Sequence, residues 1–524
     1  MRRRAMLTGS SAAFLAKTAI GQDRRANTLR FVPVANLSVL DPVWSSGGPV
    51  ESLHGNYVFD TLYAVNGSLT SRPQMASGYE VSDDGRTWRI RLRDGLTFHD
   101  ATPVRAIDCI ASVQRWCACT PFGQLLAQAV DTWAARDDRT IEIRLTRPFP
   151  LLLDAIALPD SAAWIMPEHL AHTDPNTAVK EMVGSGQYRF IADEYNSGNR
   201  VVYEKFDAYV PRNEPPDWAS GGKIAHFGRV EWHVIPDSAT AAAALMTGEV
   251  DWLEAPEVDL MPMLIANSDI RSKIANPYGK LGFIRLNCLQ PPFDDVRLRC
   301  AVMRGVVQQD YMRAAFGDDA SIWTECKSLW PRKTPYYSDD DDSLVPGNLD
   351  AGRTALKDAG YAGQKVVILN PVDRPDYSAL AQVSADALHR MGMNVDLQQT
   401  DYGSLVKRRA SQEPVERGGW SMFLGHLPAT LCANPGSSFL VRGQGAAGWF
   451  GWWANAHAEE LAGAWANAPD HTSQQQFARE LGHLAMMEAP TIPLGQPYER
   501  TAFRKSITGI LPGARPYPWN VRPA

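Results

Sequence analysis

Two periodicities alternate along the chain. Residues 88–92 (Trp-Arg-Ile-Arg-Leu) set apolar and polar side chains at a period of two before a turn at Asp94-Gly95, and residues 141–145 do the same after the polar turn at 136–139. Such alternation predicts half-buried strands. Residues 104–115 have helical spacing behind Thr102-Pro103, a plausible helix start. A strand is predicted at 28–33, a Ser/Gly/Pro-rich loop at 36–49, a strand at 230–235, an Ala-rich helix at 238–247 ended by Gly248, and a strand at 250–253. That strand–helix–strand order predicts an α/β architecture. A second α/β block opens near Tyr278, with strands at 282–287, 365–369 and 394–398 and helices at 296–307, 349–359 and 377–391. A long helical stretch at 456–487 precedes a strand at 492–498, and no internal repeat is found. A late strand that rejoins an early sheet would make the domains discontinuous.

Composition narrows the class. With 524 residues, 45% hydrophobic and 21% charged, the chain is globular and long enough for two or three domains. The net charge of −6 and the lack of a long Lys/Arg tract argue against a nucleic-acid partner. No run approaches 18 consecutive apolar residues, so no ordinary transmembrane helix is predicted.

At the N-terminus, Arg2, Arg3 and Arg4 precede an apolar segment at 5–16 and small residues at Ala19-Ile20-Gly21, the layout of an export signal. Arg3-Arg4-Ala5-Met6-Leu7 resembles the twin-arginine type. Removing residues 1–21 takes away four positive charges and no negative one, so the mature chain is expected to be acidic, periplasmic and soluble, starting near Gln22. No cysteine lies near the cleavage site, so no lipid anchor is expected. The seven cysteines leave at least one unpaired in a monomer, the expected state.

A series of segments carries a resemblance. Asp60-Thr61-Leu62-Tyr63, then Met75 to Trp88, then Leu92-Arg93-Asp94-Gly95-Leu96-Thr97-Phe98-His99-Asp100-Ala101-Thr102-Pro103, resembles the signature region of the family 5 extracellular solute-binding proteins. Gly184-Ser185-Gly186-Gln187-Tyr188, the run from Ile235 to Asp251, and Leu286-Asn287 with Pro292 to Arg299 continue it in order over nearly the whole mature chain. The resemblance implies a two-lobed periplasmic-binding-protein fold (type II, cluster C), with a small domain inserted in the first lobe and the ligand between lobes that close by hinge bending. It places 27–49, 185–276 and 490–524 in lobe I, 50–184 in the insertion and 277–489 in lobe II. The implied partners are a short peptide or other small molecule and the membrane subunits of an ABC importer; no cofactor is implied.

The candidate chemistry agrees with binding rather than catalysis. Gly443-Gln444-Gly445-Ala446-Ala447-Gly448 fits G-x-G-x-x-G but runs into Trp449-Phe450-Gly451-Trp452-Trp453 instead of a helix, so no nucleotide site is expected. Glu168, His169 and His172 lack an obvious fourth metal ligand. The nucleophile elbow G-x-S-x-G is absent. A hydrolase of small peptides or conjugates, and a carrier of a metallophore or nickel complex served by His426, remain the alternative readings.

Four of the 16 tryptophans fall between 420 and 453 in glycine-flanked segments, where aromatic rings are expected to line a cleft. The expected ligand-binding set is Trp44, Ser45 and Ser46 from the first lobe, facing Asp401, Tyr402, Trp420, His426, Asn434, Trp449, Phe450 and Trp452. Peptide-binding members commonly carry an Asp after the strand that ends near His426, for the ligand's ammonium group. Residues 427–438 hold no carboxylate, so Asp401 is the substitute considered and a nonpeptidic ligand stands beside a peptide. Arg408, Arg409 and Arg442 are the groups that could meet a ligand carboxylate.

Overall fold

The protein is described here by a computed structural model covering residues 27–45 and 48–524. The expected export segment and Ser46 lie outside the described residues.

A seven-stranded sheet runs in the order Tyr188–Phe190, Arg200–Lys205, Arg229–His233, Thr28–Val32, Trp252–Leu253, Arg500–Arg504, Ile270–Ile274. Its centre is parallel: Thr28–Val32 pairs in parallel with both Arg229–His233 and Trp252–Leu253. One face buries Leu29, Phe31, Val230 and Trp232 with Tyr57 of the Pro49–Val58 helix. The other buries Val32, Leu253 and Ala502 against Ala241, Ala242 and Leu245 of the Ser238–Thr247 helix. That helix ends where expected, on Gly248 at φ +79°, a left-handed conformation that glycine reaches without a Cβ clash.

Residues 76–145 build a separate four-stranded antiparallel sheet, Ala76–Val81, Thr87–Leu92, Thr140–Leu145, Val130–Asp137, covered by the Ala106–Cys119 helix. The predicted strands at 88–92 and 141–145 are neighbours in it, with Trp88 opposite Ile143 and Ile90 opposite Ile141. The Pro49–Val58 helix, expected inside the insertion, packs on the first sheet instead, where Tyr57 meets Tyr203 at 4.6 Å between ring centroids.

The second large sheet has the order Trp323–Thr324, Thr491–Pro497, Lys280–Leu286, Met422–Pro428, Lys365–Pro371, Asn394–Thr400. One face buries Ile284, Leu286, Val366, Ile368, Met422 and Leu424 within the main core. The other carries Leu281, Phe283, Val367, Leu369 and Phe423 under Leu405, Trp420, Leu440 and Trp452.

Two expectations change. The strand near 492 was expected to open the last lobe I segment at 490, but Thr491–Pro497 pairs with Lys280–Leu286 in the second sheet. The return to the first sheet comes one strand later, at Arg500–Arg504. Thr491–Pro497 is buried at every position, which suits a strand of either sheet, so the local pattern could not assign it. The helical stretch at 456–487 is also two helices, Ala456–Asn467 and His471–Glu488, because Pro469 interrupts the ladder and Asp470 caps the second by accepting from the Ser473 N–H.

Candidate functional site

Sheet topology fixes where a site can lie. The chain leaves the first sheet after Ile274, enters the second at Lys280, and returns between Pro497 and Arg500. The two crossovers touch: the Ala275 N–H donates to the Glu499 carbonyl. Leu253 pairs with Ala502 in an antiparallel strand that starts at Arg500, so the carboxyl ends of the parallel first-sheet strands point toward the crossovers. In the second sheet Pro428 lies opposite Lys280, and the strands ending at Pro371 and Thr400 run parallel to the one ending at Pro428. Both sheets therefore direct carboxyl edges at the same junction, where open α/β sheets hold their ligands.

Charged side chains collect there. Glu254 follows the Trp252–Leu253 strand, and its carboxylate accepts the Val34 N–H at 2.9 Å. Burial raises its pKa to about 7, against the Val34 hydrogen bond and the nearby Arg515; it also feels Glu499 and Lys280. Glu499 pairs with Lys280. Burial pushes its pKa up, but Lys280 and His426 outweigh that and leave it lowered. Its side chain keeps 45% of its surface open although protein surrounds it, as expected of a cleft wall. His426 Nε2 lies 2.8 Å from an Asp376 oxygen. Burial lowers the histidine pKa, whereas His426 and Arg374 together hold Asp376 well below the carboxylate range despite its own burial.

An aromatic wall on the second sheet runs from Tyr377 and Tyr402, beside His426, back along the strands to Trp449 and Phe450, which lie by Phe423 and Arg285 toward the end away from the crossovers. Gly425 has no Cβ, and one added there would meet the Tyr377 ring at 2.6 Å, so the ring lies directly on the strand. Tyr377 contacts Tyr402 at 5.5 Å, and Arg374 sits over both rings. Arg409 lies over Phe450 at 4.7 Å and over Phe423 at 5.9 Å. Trp449 contacts Phe450, Phe423 and Phe283 and stacks on Phe439 at 20°. Tyr402, Trp449 and Phe450 are all half-buried.

The expected residues separate into several environments. Tyr402, Trp449 and Phe450 share this wall, and His426 belongs to the adjoining charged group. Trp420 and Trp452 are 0% and 4% exposed, pack on each other at 5.7 Å and belong to the core. That corrects the expectation that they line a cleft: they support the wall from within. Asp401 is an exposed helix cap that accepts the Ser404 N–H at 2.9 Å, and the Ser404 side chain together with that N–H lowers its pKa. Asn434 closes a turn, its Oδ1 accepting from the Gly436 and Ser437 N–H groups. Trp44 is 41% exposed, and among the described residues it makes no ring contact with the second-sheet aromatics. Its loop is held by Asp41, which accepts the Trp44 N–H and pairs with buried Arg115 at 2.7 Å, while the Ser45 hydroxyl donates to the Pro42 carbonyl.

Glu254, Lys280, Asp376, Tyr377 and Glu499 were missed in the sequence. A signal existed, because Glu254 immediately follows a predicted strand and Asp376 and Tyr377 precede or open a predicted helix. Reading strand ends rather than aromatic density would have found them. Among the described residues no group of three or more His, Cys, Asp or Glu is placed to hold a metal, and no helix is long and apolar enough to cross a membrane.

Comparison with known proteins agrees with this geometry. A relative from Sinorhizobium fredii (strain NBRC 101917 / NGR234), named a probable peptide ABC transporter periplasmic-binding protein, is 34% identical over 97% of this chain and 95% of its own length. The fold matches the A. tumefaciens R10 periplasmic binding protein solved with agropinic acid, with TM-score 0.77, 19% identity and coverage of 95% of this chain and 99% of that one. It matches the ABC transporter-associated periplasmic binding protein of Helicobacter pylori solved with the peptide STSA at TM-score 0.76, 18% identity and coverage of 96% and 99%. The family model for bacterial extracellular solute-binding proteins, family 5, matches residues 70–446. With that match, and with the 34%-identical relative spanning nearly all of both chains, this protein belongs to the family 5 bacterial extracellular solute-binding proteins.

Proposed function

We propose that the protein is a periplasmic receptor of an ABC importer that closes two lobes on a short peptide or a comparably small polar molecule. The observation that carries this reading is the meeting of two carboxyl edges at paired crossovers, beside a half-buried aromatic wall. The lobes are the seven-stranded and six-stranded sheets with their helices, and the crossovers at 275–279 and 498–499 are the hinge. Tyr402, Trp449 and Phe450 supply flat apolar surface, which binds at little entropic cost because such side chains have few rotamers. His426–Asp376, Lys280–Glu499 and Glu254 supply charge complementary to ammonium and carboxylate groups.

The relative named for peptide transport and the neighbours solved with the peptide STSA and with agropinic acid support a small polar ligand. The receptor acts without a cofactor and as a monomer, delivering its ligand to the importer's membrane subunits rather than transforming it. Isothermal titration against di- to pentapeptides and agropinic acid tests this. One-to-one binding with the ligand recovered intact is expected; multiple turnover of a peptide or ester would make the protein a hydrolase instead.

A further inference from the structure

Two contacts tie the second lobe to the four-stranded unit, and both use side chains outside the junction and the wall. The first centres on Asp160, in the loop between the Leu152–Ile156 helix and the Trp164–Ile165 strand. The Trp116 indole, on the helix that covers the four-stranded sheet, donates to the adjacent Ser161 carbonyl at 2.8 Å. The Ser52 hydroxyl, on the Pro49–Val58 helix, donates to the Asp160 carbonyl at 2.6 Å. Arg515 pairs with one carboxylate oxygen of Asp160 at 2.8 Å, the two side chains being 9% and 5% exposed. The other oxygen accepts the hydroxyl of Thr430 at 2.5 Å. Thr430 comes from the other body: it is buried and lies two residues past the Met422–Pro428 strand of the second sheet.

The second contact is apolar. Phe122, on the Pro121–Ala127 helix that follows Ala106–Cys119, lies 5.9 Å from Trp465 of the second lobe's Ala456–Asn467 helix. Both rings are buried. Gly436 sits against them, and a Cβ there would come within 3.1 Å of each ring. The second-lobe loop 430–436 is therefore held at both ends by the four-stranded unit. It also starts at the crossover, since the Ala429 N–H donates to the Gly279 carbonyl.

Opening would break these ties on one side only. Asp160 is bound to its own side by Ser52 and Arg515, so it stays when the lobes part and Thr430 leaves. The lost bond runs from a hydroxyl to a carboxylate, which is stronger than one between neutral groups, and parting also exposes the Phe122 ring to water. No ligand atom takes part in either contribution. A receptor whose closed form is only partly populated binds with an apparent affinity scaled by that fraction.

We propose that Asp160 and Phe122 form a latch by which the four-stranded unit holds the second lobe closed, and so set the closed share of the ligand-free receptor. This rests on the reading of 275–279 and 498–499 as a hinge. It gives a task to a unit that supplies none of the charged or aromatic side chains named at the junction and the wall.

Small-angle scattering of the full chain reads the latch as a radius of gyration, without ligand and over concentration series of agropinic acid and of di- to pentapeptides. Thr430→Val keeps the shape of the side chain and removes the donor. It should be more expanded than wild type without ligand, or need about tenfold more compound to compact. Thr430→Ser, which keeps the hydroxyl, should match wild type. A melting temperature within about 3 °C of wild type shows that each variant is folded. Should Thr430→Val fail to fold, Gly436→Ala crowds Phe122 from the second lobe and should shift both readings the same way. The wild-type radius together with the wild-type compacting concentration in Thr430→Val overturns the latch. If wild type still compacts in that case, the closing receptor stands without it. Equal radii, with no compaction of either protein by any compound, overturn the latch and the hinge together.

Discussion

Trp420 and Trp452 on one side and Trp449 and Phe450 on the other come from the same short stretch of chain and pack over the same sheet face, yet they do different work. The first pair is buried, 0% and 4% exposed, among Leu281, Val367, Leu369 and Leu405. The second pair is half-buried and meets Arg409 and Arg285 as well as other rings. Glycines enforce the division: Gly451, at φ +97°, would bring a Cβ within 2.5 Å of the Leu286 carbonyl, so the chain there must press against the strand end. Pressing the backbone down buries Trp452 and leaves Trp449 and Phe450 at the margin. Aromatic density therefore marks the region of a site, while backbone contact decides which rings reach the ligand.

The contrast can be broken by mutation. Trp420→Ala should cost about 3–5 kcal/mol of stability by leaving a large cavity, lowering the melting temperature by roughly 5 °C or more. The ligand affinity of the protein that remains folded should stay within about twofold. An affinity loss without destabilisation would place Trp420 in the site. A smaller effect is expected from Glu254→Gln, which tests whether the junction is as enclosed as the wall implies. Because burial raises the folded pKa of Glu254 from the ordinary value to about 7, the wild type must carry a poorly solvated charge above that pH, whereas the unfolded chain ionises freely. Its stability should fall relative to Glu254→Gln as pH rises through about 4.5 to 7. The two should match below about pH 4, and the variant should be more stable at pH 8 by about 1–2 kcal/mol, allowing for partial solvent access. Thermal melts across that range read the difference, and parallel curves would show that Glu254 is not enclosed.

Trp449→Ala should weaken ligand binding about tenfold, near 1.4 kcal/mol, with a much smaller shift in melting temperature than Trp420→Ala. The reverse pattern would make Trp449 a core residue. The mildest change is Tyr402→Phe. It keeps the ring against Tyr377 and Arg374 and removes only the hydroxyl, so titration should show an affinity change of about twofold or less unless the ligand accepts from that oxygen.

The fold was largely legible because period-two and helical spacing survive in the chain. The strands at 28–33 and 365–369 and the Gly248 helix end were all visible as patterns. Sheet membership was not, since Thr491–Pro497 is buried at every position and nothing local says which sheet it completes. For the site, Tyr402, Trp449 and Phe450 were found because aromatic residues in glycine-flanked loops are conspicuous. The capping role of Asp401 was not visible, because a carboxylate after a strand looks the same whether it caps a helix or faces a ligand; here it accepts the Ser404 N–H three residues on. Glu254 and Glu499 escaped notice because their significance arises only when two distant crossovers lie side by side.

The central claim is that ligand lies between the two carboxyl edges against the half-buried aromatic wall. A crystal structure of the protein with the tightest ligand from the titration panel tests it most directly. The account predicts ligand density between the sheets, in contact with Tyr402, Trp449 and Phe450 and separated by Trp449 from the buried Trp420. Density in any other place, or a ligand that touches none of those three rings, would contradict it.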